Sequence, residues 1–342
     1  MNSVLTSRIS IPQQEAQGKP PSVAVVIPAY RAEGHIEAVL AGIPDLVAHI
    51  IVVDDCSPDH TAQLVAAWND PRVHLVSHHE NQGVGGAVLT GYDVALSLGA
   101  EIVVKMDSDD QMDAAYLPLL IKPIWEGKAD YSKGNRFLHL RELQSMPILR
   151  RIGNAGLSFL TKLASGYWNI FDPTNGYTAI HASVVRMLNR EMIDRRYFFE
   201  SSMLLELSMI RAVVRDVYIP SRYGAEVSSL SEWSALRRFP GRLLNGIFRR
   251  LLVQYFLRDF TAFSVFFLVG GLLTLFGMIW GSFHWYLSAQ GDSESSTGTV
   301  MLAVLPVILG VQLLLQAVVS DMQSVPTQPL QKEYGPYWGA QG

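Results

Sequence analysis

Residues 22–28 (Ser-Val-Ala-Val-Val-Ile-Pro) are apolar at nearly every position and rich in β-branched side chains. A run without alternation suits a strand buried on both faces of a parallel sheet. Residues 33–41 read as a helix, 49–53 as a second buried strand, 61–68 as a helix, 73–77 as a third strand and 85–98 as a helix. A fourth strand over 101–106 runs straight into Asp107-Ser108-Asp109-Asp110. Strand and helix alternating at this spacing predict a doubly wound, mostly parallel α/β domain, with ligands at the carboxyl ends of its strands.

The pattern then changes. Residues 146–167 and 237–258 are basic and amphipathic, the second stretch carrying Arg237, Arg238, Arg242, Arg249, Arg250 and Arg258 among Leu, Ile, Phe and Tyr. Such helices lie in the headgroup plane of a bilayer or serve as ordinary surface helices of a core. Residues 262–287 and 300–319 contain no Lys, Arg, Asp or Glu. Each is long enough to cross the roughly 30 Å hydrocarbon layer. The linker 291–296 has no Lys or Arg, whereas six arginines precede the first span. That asymmetry predicts a transmembrane hairpin with both ends in the cytoplasm, the bacterial inner membrane being the natural setting.

Composition adds two points. A mean hydropathy of +0.18 is high for a wholly soluble chain. The net charge of −4 gives no reason to expect nucleic acid as a partner. Cys56 is the only cysteine, which excludes an intrachain disulfide and suits a reducing compartment. The expected plan is a disordered tail over 1–21 without an apolar signal region, a catalytic domain over 22–230, and basic juxtamembrane helices over 231–260. The hairpin follows over 261–322, then a cytoplasmic tail over 323–342, with homo-oligomerisation through the hairpin an option.

The candidate chemistry sits at strand ends. A period of two sends the carboxylates of Asp107 and Asp109 to the same side. Two hard oxygen ligands there suit Mg²⁺ or Mn²⁺ shared with a diphosphate, or else a solvated turn. Asp54-Asp55 ends an earlier strand of the same sheet, so two acidic clusters converge on one rim. The glycines of Asn81-Gln82-Gly83-Val84-Gly85-Gly86-Ala87 could bring backbone close to a ligand, but a tight turn explains them better.

Val26-Ile27-Pro28-Ala29-Tyr30, Val52-Val53-Asp54-Asp55-Cys56-Ser57-Pro58-Asp59, residues 81–87 and Asp107-Ser108-Asp109-Asp110-Gln111 stand in the order and spacing of family 2 glycosyltransferases. Asp172-Pro173-Thr174-Asn175-Gly176-Tyr177 extends the resemblance toward the branch of dolichyl-phosphate mannose synthase and the bacterial polyprenyl-phosphate glycosyltransferases. It covers roughly residues 23–229. The resemblance implies a GT-A-type fold in which Pro28, Tyr30, Glu33, Asp55, Asp107 and Ser108 bind the nucleotide sugar. It implies that Asp109 and Gln111 hold the metal, and that Arg136, Arg151 and Arg222, with Asn154 one turn from Arg151, hold the acceptor phosphate. His60, Met112 and Thr178 depart from the common pattern, Thr178 standing where an arginine is frequent. No Gln-x-x-Arg-Trp signature of processive synthases occurs.

The expected reaction is inverting transfer of one sugar, of the GDP-mannose or UDP-glucose type, to a polyisoprenyl phosphate in the lipid bilayer. The acceptor is already ionised, so positioning and charge neutralisation dominate over base catalysis. Asp107, Asp109, Asp172 and Glu200 are the candidate catalytic carboxylates. A transferase acting on another membrane lipid would need Asp172 or Glu200 as a base. A non-catalytic nucleotide-sugar-binding subunit would not need the intact Asp107, Asp109 and Gln111 set.

Overall fold

The computed structural model describes residues 20–136, 148–220, 232–291 and 296–333, with backbone alone for 148–152, 154 and 232–240. The expected tail, apart from its last two residues, and Arg222 lie outside the described residues.

The first half follows the predicted alternation: β1 (Val23–Ala29), α1 (Ile36–Gly42), β2 (His49–Asp54), α2 (Thr61–Ala67), β3 (Val73–Ser77), α3 (Val84–Ser97) and β4 (Ile102–Lys105). Then come α4 (Leu117–Trp125), β5 (Tyr131–Asn135), α5 (Ile148–Ser165), β6 (Thr178–His181), α6 (Ala182–Met187), α7 (Phe199–Met209) and β7 (Val214–Tyr218). Among the described residues these strands form one seven-stranded sheet in the order β3-β2-β1-β4-β6-β5-β7. β1 to β4 are mutually parallel, and β6 runs antiparallel to both β4 and β5.

Alternate residues of the central strands feed two separate cores. Val23, Val25, Ile27, Ile50, Val52, Ile102 and Val104 pack against α1, α2 and α4. Ala24, Val26, Ile51, Val53 and Val103 pack against α3, α6 and α7. Both faces are therefore apolar, which is why the strands read as unbroken hydrophobic runs. Gly91 of α3 lies directly on Val26, where a Cβ would come within 2.2 Å of a valine methyl.

The C-terminal part comprises α8 (Glu232–Leu252), a π-helical turn (Val253–Arg258), and two helices long and apolar enough to cross a membrane, α9 (Ala262–Ala289) and α10 (Thr297–Gln323). At 1.5 Å per residue α9 and α10 are each about 40 Å long. They pack at small residues: a Cβ on Gly270 would meet the Gly310 carbonyl at 2.9 Å, and one on Gly277 the Ala303 carbonyl at 2.6 Å. Such close approach is how helices associate where apolar burial gives no advantage over lipid. The outward faces expose Leu272, Ile279, Trp285 and Leu315, all at 60% or more. A continuous apolar surface of this kind matches hydrocarbon, not water.

Among the described arginines of α8, Arg250 is buried, Arg249 half-buried and Arg242 exposed, and each has a carboxylate partner. Arg242 pairs with Asp194, Arg249 with Glu206 and Arg250 with Asp321. Two large apolar side chains of the same helix, Leu244 and Phe248, are exposed at 61% and 67%. After α10 the chain returns to the α/β domain, where the N–H groups of Leu330 and Gln331 donate to buried Asp130 at 2.9 Å each. The segment expected as a free tail is thus partly a strap, and both ends of the hairpin meet the same domain.

Candidate active site

The carboxyl ends of β1, β2 and β4 each turn through a non-glycine residue in the left-handed region: Arg31 (φ 57°), Cys56 (φ 59°) and Asp110 (φ 57°). Each costs on the order of 1 kcal/mol and persists because surrounding bonds fix it. Arg31 N–H donates to Ser57 Oγ at 3.1 Å, and Ala32 N–H to Thr61 Oγ1 at 2.9 Å. These turns form the rim on which the acidic residues sit.

A cavity of about 340 Å³ opens on this rim, its walls including Lys105, Asp107, Asp109, Gln111, Arg136 and Glu200. β4 delivers the first four through Lys105 and the turn after it. Asp109 Oδ1 accepts the Gln111 N–H at 3.1 Å, and Asp107 N–H points to Met112 Sδ at 3.3 Å. Met112 thus supports the acidic turn from below. Asp107 and Asp109 are half-buried and Gln111 is exposed.

The loop between α5 and β6 forms the opposite wall. Gly176 lies so close to β4 that a Cβ would sit 2.4 Å from Lys105 Nζ and 2.7 Å from Asp107 Oδ2. Only glycine allows this approach. Asp172, 1% exposed, is gripped by Arg136, whose Nε and Nη2 donate at 2.8 and 3.2 Å. Glu200, from the first turn of α7, accepts from Lys105 Nζ at 3.1 Å, and Asp107 lies 2.7 Å from the same nitrogen. Both acidic candidates beyond the Asp-x-Asp pair are therefore engaged by cations.

Two further groups escaped the sequence reading because they lie in β5 and β7. Lys133 is fully buried and donates to the Asn175 carbonyl. Burial lowers its pKa to about 8, against the opposing pull of Glu200 and Asp172. Asp216 accepts from Phe171 N–H at 2.7 Å and from Asn135 Nδ2 at 3.0 Å, holding the neighbours of both Asp172 and Arg136. Burial, reinforced by Asp172, raises its pKa to about 6 although the Phe171 N–H, Lys133 and Asn135 pull it down. Its Oδ1 is buried without a hydrogen-bond partner.

The sign of the resulting pH effect is fixed. An acid with a raised folded-state pKa contributes stability below its unfolded value of about 3.9 that is lost as pH rises through 6. Asp216→Asn keeps one oxygen acceptor for Phe171 and Asn135 and removes the charge. The variant is expected to melt higher than wild type at pH 7.5, by at most about 3 kcal/mol for two pKa units, and like wild type near pH 4. Tryptophan-fluorescence melts at the two pH values measure this.

The nucleotide candidates divide. Pro28 is buried within β1, whereas Tyr30 is 46% exposed at the rim beside Arg31. Glu33 accepts the His60 N–H at 3.1 Å. Ser108 is half-buried in the acidic turn. Asp55 is 3% exposed, and its Oδ1 accepts from Gln82 N–H (2.8 Å) and His78 Nδ1 (2.7 Å) while Oδ2 accepts from Gly83 N–H (2.7 Å). Here it fixes the loop between β3 and α3. The glycines of that loop serve packing: Gly85 and Gly86 donate to the Arg195 carbonyl, and a Cβ on Gly83 would strike it at 2.4 Å. Arg151 and Asn154 lie on α5, of which only the backbone is described at those positions.

For a divalent cation the donor set fits. Asp109, Gln111 and Asp107 give hard oxygens on a cavity wall, and the bond from Gln111 to Asp109 uses the Gln111 backbone N–H and not its side chain. Among the described residues no group of three His, Cys, Asp or Glu could hold a metal. A site with few protein ligands suits Mg²⁺ or Mn²⁺ that retains water and shares a substrate phosphate.

The mixed seven-stranded sheet with acidic turns at its carboxyl rim is a GT-A-type fold. Residues 24–188 match the model for glycosyl transferase family 2. The chain is 30% identical over 246 residues, 68% of its length and 95% of the relative's, to UDP-N-acetylglucosamine–dolichyl-phosphate N-acetylglucosaminyltransferase of Methanococcus voltae. It is 28% identical to undecaprenyl-phosphate mannosyltransferase of Micrococcus luteus, covering 58% of this chain and 82% of that one. Polyprenol monophosphomannose synthase of Mycolicibacterium smegmatis is 29% identical, over 52% of this chain and 68% of that one. Among solved structures, glucosyl-3-phosphoglycerate synthase of Mycobacterium tuberculosis with UDP superposes with a TM-score of 0.51 at 24% identity, over 66% of this chain and 80% of that one. The protein belongs to glycosyl transferase family 2, in the branch of the dolichyl- and polyprenyl-phosphate glycosyltransferases.

Proposed function

We propose that the protein transfers one sugar from a nucleotide diphosphate sugar to a polyisoprenyl phosphate, at the cytoplasmic face of a membrane and with inversion at the anomeric carbon. The observation that carries this reading is the state of the acidic groups around the cavity. Asp172 is bound by Arg136 and Glu200 by Lys105, so neither stands ready as a general base. A hydroxyl acceptor would need such a base, whereas a lipid monophosphate is already ionised near neutral pH. The names of the relatives point the same way, each acting on a dolichyl, undecaprenyl or polyprenol phosphate.

In this reading an acceptor phosphate oxygen attacks the anomeric carbon as its bond to the diphosphate breaks, giving a sugar phospholipid and a nucleoside diphosphate. Asp109 and Gln111 would hold Mg²⁺ or Mn²⁺, which when bound neutralises charge on the departing diphosphate. Arg136 orients the acceptor phosphate, and Asp172 in turn orients Arg136. Asp107 and Ser108 face the donor, with Tyr30 at the rim. The hairpin and the exposed Leu244 and Phe248 of α8 keep the cavity at headgroup height.

The test uses detergent-solubilised protein with Mg²⁺ or Mn²⁺, undecaprenyl or dolichyl phosphate, and a panel of radiolabelled nucleotide sugars. Lipid-extractable label from one donor, abolished by EDTA, is the expected result. Absence of label from every donor, or label only on a water-soluble or non-phosphorylated acceptor, would overturn the reading.

A further inference from the structure

Lys105 ends β4, and its side chain alternates with Val104 onto the face that carries α3 and α7. It is 1% exposed. Lysine is almost never buried to this degree without a partner. Its ammonium has two: Asp107 Oδ1 at 2.7 Å and Glu200 Oε1 at 3.1 Å. Two carboxylates at salt-bridge distance hold the amine as an ammonium.

The two carboxylates come from different walls of the cavity. Asp107 belongs to the acidic turn after β4, and Glu200 to α7. Gly176 closes over the contact, its missing Cβ leaving room within 2.4 Å of Nζ. Three carboxylates, those of Asp107, Asp109 and Glu200, line the cavity along with two cations, and Arg136 is bonded to Asp172. Lys105 is therefore the cation that offsets the acidic cluster from within.

We propose that Lys105 is a positioning residue: it ties Asp107 on the donor wall to Glu200 on the acceptor wall and tempers the affinity of the acidic cluster for a divalent cation. The labels donor and acceptor rest on the function proposed above. The physical basis is that one buried positive charge lowers the potential an incoming cation meets and holds two carboxylates at a fixed separation. Without it, Asp107 and Glu200 repel each other, and both become available to a cation.

Mn²⁺ binding to the detergent-solubilised full chain, followed by electron paramagnetic resonance without donor or acceptor, tests this directly. Lys105→Met is expected to bind Mn²⁺ about tenfold tighter or more and, at saturating Mn²⁺, to lose most of its turnover, with kcat falling rather than donor KM rising. Lys105→Arg, which keeps the charge, should retain wild-type Mn²⁺ affinity. Lys105→Met/Glu200→Gln removes one charge of each sign. It protects against a single variant that does not fold, and its Mn²⁺ affinity should return to within about threefold of wild type while kcat stays low. Folded Lys105→Met with unchanged Mn²⁺ affinity, or with wild-type kcat, would overturn the proposal. So would a folded double variant that binds Mn²⁺ tenfold tighter than wild type. Tighter Mn²⁺ binding by Lys105→Met in a protein that labels no polyprenyl phosphate would uphold the role of Lys105 and reject only the assigned acceptor.

Discussion

Sugar transfer by the Asp109→Ala protein is expected to fall by on the order of 10²–10³-fold, the loss typical of removing a group that stabilises developing charge. Asp109 lines the cavity two residues after Asp107, both in the turn that follows β4. The neighbouring Asp110 provides the control. It takes φ 57° and is not among the residues lining the cavity. Asparagine tolerates that conformation, so Asp110→Asn should leave transfer within about threefold of wild type. Radiolabel in the lipid extract, at saturating donor and Mn²⁺, measures both. Equal losses in the two variants would mean that the turn matters as a structure and that Asp109 has no particular chemical part. Activity retained in Asp109→Ala would remove this carboxylate from the active site.

β1, β2 and β4 were legible because both faces of each are covered, which leaves a plain apolar run in the sequence. β5 has no such run. Its Tyr131-Ser132-Lys133-Gly134-Asn135 is buried throughout, yet three of its side chains are polar. Those polar groups are there for the site: Lys133 supports the Asn175 carbonyl, and Asn135 binds Asp216. Hydrophobic patterning fails where a strand carries buried polar groups with partners distant in sequence. β6 and β7 went unread for a related reason, being short, and β7 carrying Arg215 and Asp216. Lys105 was hidden differently. It looked like a polar strand end, because nothing local indicates that Glu200, 95 residues later, comes to meet it. The same holds for the basic stretch 237–258. Its composition allowed either a headgroup-facing row or a surface helix, and nothing local shows that Glu206 and Asp321 draw Arg249 and Arg250 toward the rest of the protein. The acidic Asp-x-Asp turn was legible because its chemistry is local: strand, carboxylate, spacer, carboxylate.

The largest stability loss is expected at the joint between the catalytic domain and the hairpin. Asp321, 2% exposed near the end of α10, accepts from Arg250 Nη1 at 2.6 Å and Nη2 at 3.0 Å. It also accepts from the Tyr255 hydroxyl at 2.5 Å and from Trp168 Nε1 at 3.0 Å. Arg250 further donates to the Leu163 carbonyl at 3.0 Å, so α5, α8, the π-helical turn and α10 converge on one carboxylate. Asp321→Ala would leave the Arg250 guanidinium charged, buried and largely unpaired, which costs about 3–5 kcal/mol. Asp321→Asn removes the charge but preserves one acceptor and should lose less. Replacing both partners, as Arg250→Met/Asp321→Leu, removes the stranded charge and is expected to recover much of the loss, because a buried pair exchanged for apolar side chains is often near neutral. Thermal melts in detergent followed by tryptophan fluorescence, with Trp168 itself at the joint, would rank the three variants. If Asp321→Ala melts like wild type, the hairpin is not fastened to the α/β domain at this carboxylate, and the bonds of Leu330 and Gln331 to Asp130 are left as the fastening after α10.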